Sequence, residues 1–320
     1  MSFLDRFASL FSTDSSEPQT TIPAEPPHAL RQHFAVSSRE VNGFEVYSVA
    51  PMRFAETSAT DVTHYDPHAD SLGELPAADA ATQAVLYLIP GGFAQPIKAR
   101  NWDFIAQMAE AELRVEIPLY GLIPDYDCTH GLDLISAVYA QLVEDHGPEN
   151  ISVIADSAGG SLALGTFIAD FSLPVPRQFI LNAPWVDLDL SNPGVEKYKD
   201  ADPILDPTQL RPQGNLWAQG LVHAGITDPG HATAHPTVSP LNLPVERWQE
   251  VLAGATVDVW CGDRDLSFPD ATALTDRLNE AGISATLHPQ AGGVHMFHLT
   301  KSREAKAARK EMIALVTSQK

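Results

Sequence analysis

The segment from Ile151 to Gly160, Ile-Ser-Val-Ile-Ala-Asp-Ser-Ala-Gly-Gly, constrains this chain more than any other. An apolar, β-branched run enters a turn of small residues and leaves it in a helical pattern that continues to about Phe171. Such a turn presents Ser157 at the carboxyl edge of a parallel sheet, provided that the positions two before and two after it are small. Here they are Ala155 and Gly159; glycine is usual at both, so Ala155 adds a methyl group at the tighter point. The following helix aims free N–H groups and its positive dipole end at the turn, which suits a developing oxyanion.

The rest of the chain alternates strands with helices. Strand patterns lie at Ala84–Ile89, Arg114–Pro118, Ile151–Ala155, Phe179–Leu181, Thr256–Cys261 and Ala285–His288, with helical patterns near 100–112, 131–145, 268–281 and 300–317. This spacing predicts an α/β fold with a doubly wound, mostly parallel sheet and helices on both faces. Residues 41–49 read as a β-hairpin around Asn42-Gly43. The Pro-rich stretch at about 185–250 breaks the rhythm and reads as a small helical cap inserted into a domain spanning residues 31–320. Residues 1–30 stand apart: Phe3, Leu4, Phe7, Leu10 and Phe11 share a helical face, and residues 13–27 are a Ser/Thr/Glu/Pro linker. Residues 56–83 read as loop or short helices.

Three further features carry chemistry. Pro90-Gly91-Gly92-Phe93 follows a strand directly, and a Gly–Gly pair lets backbone N–H groups converge on an anion. Asp263 and Asp265 both follow the strand ending at Cys261, where a carboxylate can orient an imidazole. A Gly-rich loop then delivers His295. Each signal is weak alone, but the order is informative: Ser157, an acid 108 residues later at Asp265, and His295 another 30 residues on. Ser…Asp…His is the chain order of α/β-hydrolases and differs from the two common protease orders.

With these residues in view, the chain resembles the hormone-sensitive-lipase branch of the α/β-hydrolases, which includes small acyl esterases and steryl acetyl hydrolases. Asp156-Ser157-Ala158-Gly159-Gly160 is similar to that family's G-D-S-A-G-G except at Ala155. Leu119 to Asp125 resembles its Y-R-L-A-P-E segment, and Asn182 to Leu188 its S-P-W-V-D-L. Gly262 to Asp265 and Val294 to Phe297 resemble its acid and histidine motifs, and the similarity runs over roughly residues 84–315. The resemblance implies a serine carboxylesterase acting on small or short-acyl esters. Ser157 would be the nucleophile, His295 the base and Asp265 the acid, preferred over Asp263 because Leu266 follows it. Gly91, Gly92 and Ala158 would be the oxyanion donors, and Asp156 a structural acid. Phe93, Trp185, Trp217 and Phe297 are candidates to line an apolar substrate pocket. The departure is at the family's His-Gly-Gly-Gly loop, which reads Ile89-Pro90-Gly91-Gly92 here and lacks the histidine. Two alternatives stay open: an acyltransferase or amidase using the same triad, and a non-catalytic ligand-binding protein of the same fold, as in the plant gibberellin receptors.

Composition narrows the partners. The 41 acidic residues against 20 basic ones give a net charge of −21, which disfavours nucleic acid and anionic lipid. Six of the basic residues fall in residues 301–320, as expected of a solvated basic face on a final helix. Cys128 and Cys261 lack the spacing of a redox or metal motif, and no disulfide framework is expected. The histidine pairs His64/His68 and His231/His235 lie in loop-like segments without a further ligand, so neither metal nor cofactor is expected. Asp5 and Arg6 interrupt the first apolar run, which disfavours a signal peptide, and no apolar run is long enough to cross a membrane. The expectation is a cytoplasmic protein acting on a small-molecule ester, with a homodimer left open.

Overall fold

The computed structural model describes residues 25–52 and 83–318. The expected amphipathic face of residues 1–12, most of the linker at 13–27 and most of the loop at 56–83, including His64 and His68, lie outside the described residues. Residues His28–His33 form a short helix, α1, that the composition does not announce; it buries Leu30.

An eight-stranded sheet organises the chain in the order β1-β2-β4-β3-β5-β6-β7-β8. β1 (Phe34–Val41) and β2 (Phe44–Pro51) form the expected hairpin. Asn42 and Gly43 both take positive φ, 51° and 82°, as the twist-matched two-residue turn requires. β2 pairs antiparallel with β4 (Arg114–Pro118). From there β3 (Ala84–Leu88), β5 (Ile151–Asp156), β6 (Gln178–Asn182), β7 (Thr256–Gly262) and β8 (Ser284–Gln290) run parallel. β3, β4, β5 and β6 are buried at every position; β3 reads as an uninterrupted apolar run, whereas β4 also encloses the Arg114–Glu116 ion pair and β5 and β6 carry Ser152, Asp156, Gln178 and Asn182. β8 is different: it is the edge strand, half exposed, and carries Pro289, whose missing N–H an edge tolerates.

The helices α2 (Ala99–Glu110), α3 (Cys128–His146), α4 (Ala158–Ala169), α7 (Phe268–Glu280) and α8 (Arg303–Thr317) connect or follow the strands. α3 starts three residues before the sequence pattern suggests, because the Asp127 carboxylate accepts from Thr129 N and caps it. α4 is buried from Ala158 to Ile168, as expected of a helix lodged between the sheet and its neighbours. Between β6 and β7 lie α5 (Pro207–His223), the short α6 (Trp248–Leu252) and several 3-10 turns, many started by proline. α8 departs from a wholly solvated basic face: Arg309 turns inward and donates to the carbonyls of His298 and Thr300 and to Gln107 Oε1.

Asp270, in the first turn of α7, is 1% exposed and its Oδ1 has no hydrogen-bond partner. Burial pushes its carboxyl up to about 7; a hydrogen bond from Asn192 works against this and the Asp187 charge adds to it. The folded protein therefore holds this proton between pH 4 and 7 where the unfolded chain releases it, so stability falls as pH rises through that window. Asp270→Asn removes the buried charge with little change of shape and should raise stability at pH 8 by about 1–3 kcal/mol, with little effect at pH 4. Urea unfolding at the two pH values checks this; equal changes at both would contradict it.

Candidate active site

The carboxyl ends of β3, β5 and β7 and the loops that follow them converge on one place. At the end of β5 the chain reverses sharply at Ser157, whose φ of 52° and ψ of −115° lie outside the regions an L-residue ordinarily adopts. Neighbours hold this conformation: Ser157 N donates to Asn182 O at 2.9 Å, and Trp185 N donates to Ser157 O at 2.9 Å. The helix can approach only because residue 159 is glycine. A Cβ there would fall 2.6 Å from Leu88 O and 2.9 Å from Ile89 O. Ala155, by contrast, is accommodated in β5 with no exposure, in register with Leu88 and Leu181.

His295 reaches this turn from the loop after β8. Its Nε2 is 3.0 Å from Ser157 Oγ, and its Nδ1 is 3.0 and 3.1 Å from the two oxygens of Asp265. All three residues are buried, with exposures of 6%, 3% and 0% for Ser157, His295 and Asp265. Asp265 is aimed by Ser267 N, which donates to its Oδ1 at 2.8 Å. The geometry separates the two acids left open by sequence position: Asp263 is exposed and accepts from Gly292 N at 2.7 Å. Its role is to join the acid loop to the histidine loop, which Asp263 N and Arg264 N reinforce by donating to Gln290 O and Gly293 O.

The electrostatics favour a basic imidazole. Burial lowers the His295 pKa, but the charge and hydrogen bond of Asp265, followed by the charges of Asp202 and Asp156, outweigh it, and the net shift is upward. Asp156 is wholly buried behind the nucleophile. Its oxygens accept from Tyr87 Oη at 2.5 Å and Asn182 Nδ2 at 2.8 Å, and Asn101 Nδ2 donates to Tyr87 Oη. His298 Nε2 stands 3.3 Å from Asp156 Oδ1, an ion-pair distance without hydrogen-bond alignment.

The loop after β3 lies beside Ser157. Gly91 has φ +127°, and a Cβ there would meet Gln95 O at 2.5 Å, so this loop requires glycine. Ala158 opens α4, and its N–H has no intrahelical acceptor. Tyr120 Oη donates to Ile89 O at 2.8 Å and Ile123 N donates to Phe93 O at 2.9 Å, and both hold this loop. Phe93 stacks on Trp217 of α5, with ring centroids 4.1 Å apart and planes 3° apart, and Trp185 lies 5.7 Å from Phe93. These three pocket candidates are joined by ring contacts through Phe93, whereas the Phe297 ring meets His298 edge-on. Tyr120 and Asp202 gave no signal as site features in the sequence, and Phe93 and Trp217, expected as pocket residues, gave none that their rings would stack, since each depends on contacts between distant segments. A cavity of about 840 Å3 lies at the opposite, amino-terminal edge of the strands, among Arg177, Gln178 and Asp258, and none of the expected site residues lines it.

Tyr120→Phe leaves the buried Ile89 carbonyl without its partner and should destabilise the protein by about 1–3 kcal/mol. Chemical denaturation checks this; an unchanged midpoint would mean that the loop does not depend on this bond.

The model of the family described as alpha/beta hydrolase fold matches residues 85–299. A triacylglycerol lipase of Mycobacterium tuberculosis is 24% identical over 221 residues, covering 63% of this chain and 49% of that protein. Steryl acetyl hydrolase 1 of Saccharomyces cerevisiae is 22% identical over 218 residues, covering 63% and 50%. The chain thus spans about half the length of the curated relatives it matches. Among solved structures, an esterase from the bacterial hormone-sensitive lipase family superposes with a TM-score of 0.71 at 20% identity, covering 98% of this chain and 96% of that one.

Proposed function

The chain belongs to the α/β-hydrolase fold family, and from that premise we propose that it is a serine carboxylic ester hydrolase working through Ser157, His295 and Asp265. The observation that carries this reading is the continuous hydrogen-bonded line from Asp265 through His295 to Ser157, buried along its length, with the serine on a strained strand-to-helix turn. His295 Nε2 takes the hydroxyl proton as Oγ attacks the ester carbonyl, and Asp265 holds the other ring nitrogen and balances the imidazolium. The oxyanion is received by the N–H groups of Gly91, Gly92 and Ala158. Collapse of the tetrahedral intermediate breaks the C–O bond, and His295 returns the proton to the departing alcohol. Water then attacks the acyl-enzyme by the same route, releasing the acid and restoring Ser157.

Both relatives described above act on esters by their names, in line with this reading. The acyl group we infer is short. Phe93, Trp185 and Trp217, beside the oxyanion loop, are packed against one another with at most 3% exposure, and a long chain would have to part them. The segment between β6 and β7, which contributes Trp217, acts as the cap.

The test is hydrolysis of p-nitrophenyl esters from acetate to octanoate by wild type and Ser157→Ala. Wild-type turnover should be greatest on the short esters, and the substitution should lower kcat by a factor on the order of 10^4 or more. Folded wild type without turnover would overturn the proposal. The acid limb of kcat/KM reports His295 in the free enzyme. Its midpoint should lie above the ordinary imidazole value of 6.5, because the protonated form is favoured by the carboxylates around it. A midpoint below 6.5 would contradict that balance of charges.

A further inference from the structure

A fourth acidic residue stands against the triad. Asp202 comes from the segment between β6 and β7 and is 6% exposed. Its Oδ2 accepts from Leu266 N at 2.8 Å; its Oδ1 accepts from Ile204 N at 2.8 Å and Leu205 N at 3.3 Å. Arg264 Nη2 donates to Ala201 O at 3.1 Å, so residues 201 and 202 grip the acid loop on both sides of Asp265. One oxygen of Asp202, one of Asp265 and one ring nitrogen of His295 all lie within 4.8 Å of one another. Both ring nitrogens of His295 already face Asp265 and Ser157, so Asp202 acts on the imidazole through space.

We propose that Asp202 is a positioning residue of the triad with two effects: its backbone contacts fix the loop that carries Asp265, and its carboxylate charge helps to hold the proton on His295. The proposal rests on the triad reading given above. Charge facing His295 comes from three elements: Asp265 after β7, Asp156 at the end of β5 and Asp202 before α5. The groups facing Asp202 are Asp265, His295 and the buried thiol of Cys261, while the Arg264 guanidinium is directed to Ala201 O. Burial and the Asp265 charge push the Asp202 carboxyl above the usual range, and His295 works in the opposite direction. When the imidazole takes a proton during the reaction, it relieves the repulsion between the two carboxylates. That coupling favours the imidazolium.

The experiment is an NMR titration of histidine-labelled protein, with His295→Gln identifying the His295 resonance, on wild type, Asp202→Asn and Asp202→Glu. Asp202→Asn should lower the His295 midpoint by about one pH unit, and the acid limb of kcat/KM should move with it. Asp202→Glu keeps the charge and should titrate close to wild type even if its loop is less well held. Coincident midpoints for wild type and Asp202→Asn would overturn the proposal, as would equal shifts in the Asn and Glu proteins, which a purely structural role produces. Should Asp202→Asn not fold, Asp202→Ser, whose hydroxyl can accept from Leu266 N, carries the same comparison. Absence of ester turnover in wild type would defeat the hydrolase reading while the titration still decides the role of Asp202.

Discussion

The reversal of the chain at Ser157 is the constraint to which the rest of the structure answers. A non-glycine residue at φ 52° costs energy, on the order of 1–3 kcal/mol. Its environment over-determines it: one flanking strand receives its N–H, the segment after β6 donates to its carbonyl, and α4 presses against β3 through Gly159. The register of the sheet follows the same point. β5 pairs with β3 on one side and β6 on the other, so the turn emerges where Leu88 and Asn182 end their strands. The loop at Gly91-Gly92 and the segment at Ala183-Pro184-Trp185 then have their places fixed with respect to Ser157.

Around this turn the protein buries several carboxylates that would be costly without partners. Each is answered differently. Asp156 is held by a tyrosine and an asparagine, Asp265 by a backbone N–H and the imidazole, and Asp202 by three backbone N–H groups. The result is a group of buried carboxylates around His295, which is the electrostatic setting in which an imidazole gains by accepting a proton. The loop after β3 on the other side is held by packing and by hydrogen bonds to its backbone carbonyls: Tyr120 Oη on Ile89 O, Ile123 N on Phe93 O, and the Phe93 ring on Trp217.

Much of this was legible in the sequence because burial on both faces keeps central parallel strands such as β3 and β5 mainly apolar, and because Ser157, Asp265 and His295 each follow a strand pattern in a telling order. The Asn42-Gly43 turn was readable for a local reason, the need for two positive φ values. What escaped is non-local. Helix α1 is six residues long behind a proline, too short for periodicity to register. α8 begins at Arg303, later than its pattern suggests, because residues Phe297–Leu299 form a 3-10 turn and Ser302 caps the helix. Arg309 was read as part of a solvated face, and only the fold brings the carbonyls of His298 and Thr300 beneath it. Asp202 lies 64 residues from its partner Leu266 in a Pro-rich stretch, and no spacing rule joins them.

In the proposed reaction Ser157 is a nucleophile activated by His295. Mass spectrometry of the intact protein and its peptides after reaction with a fluorophosphonate tests it most directly. One adduct is expected in wild type, on the peptide carrying Ser157, and its loss in folded His295→Gln. An unmodified wild type, an adduct on a different serine, or equal labelling with and without His295 would contradict it.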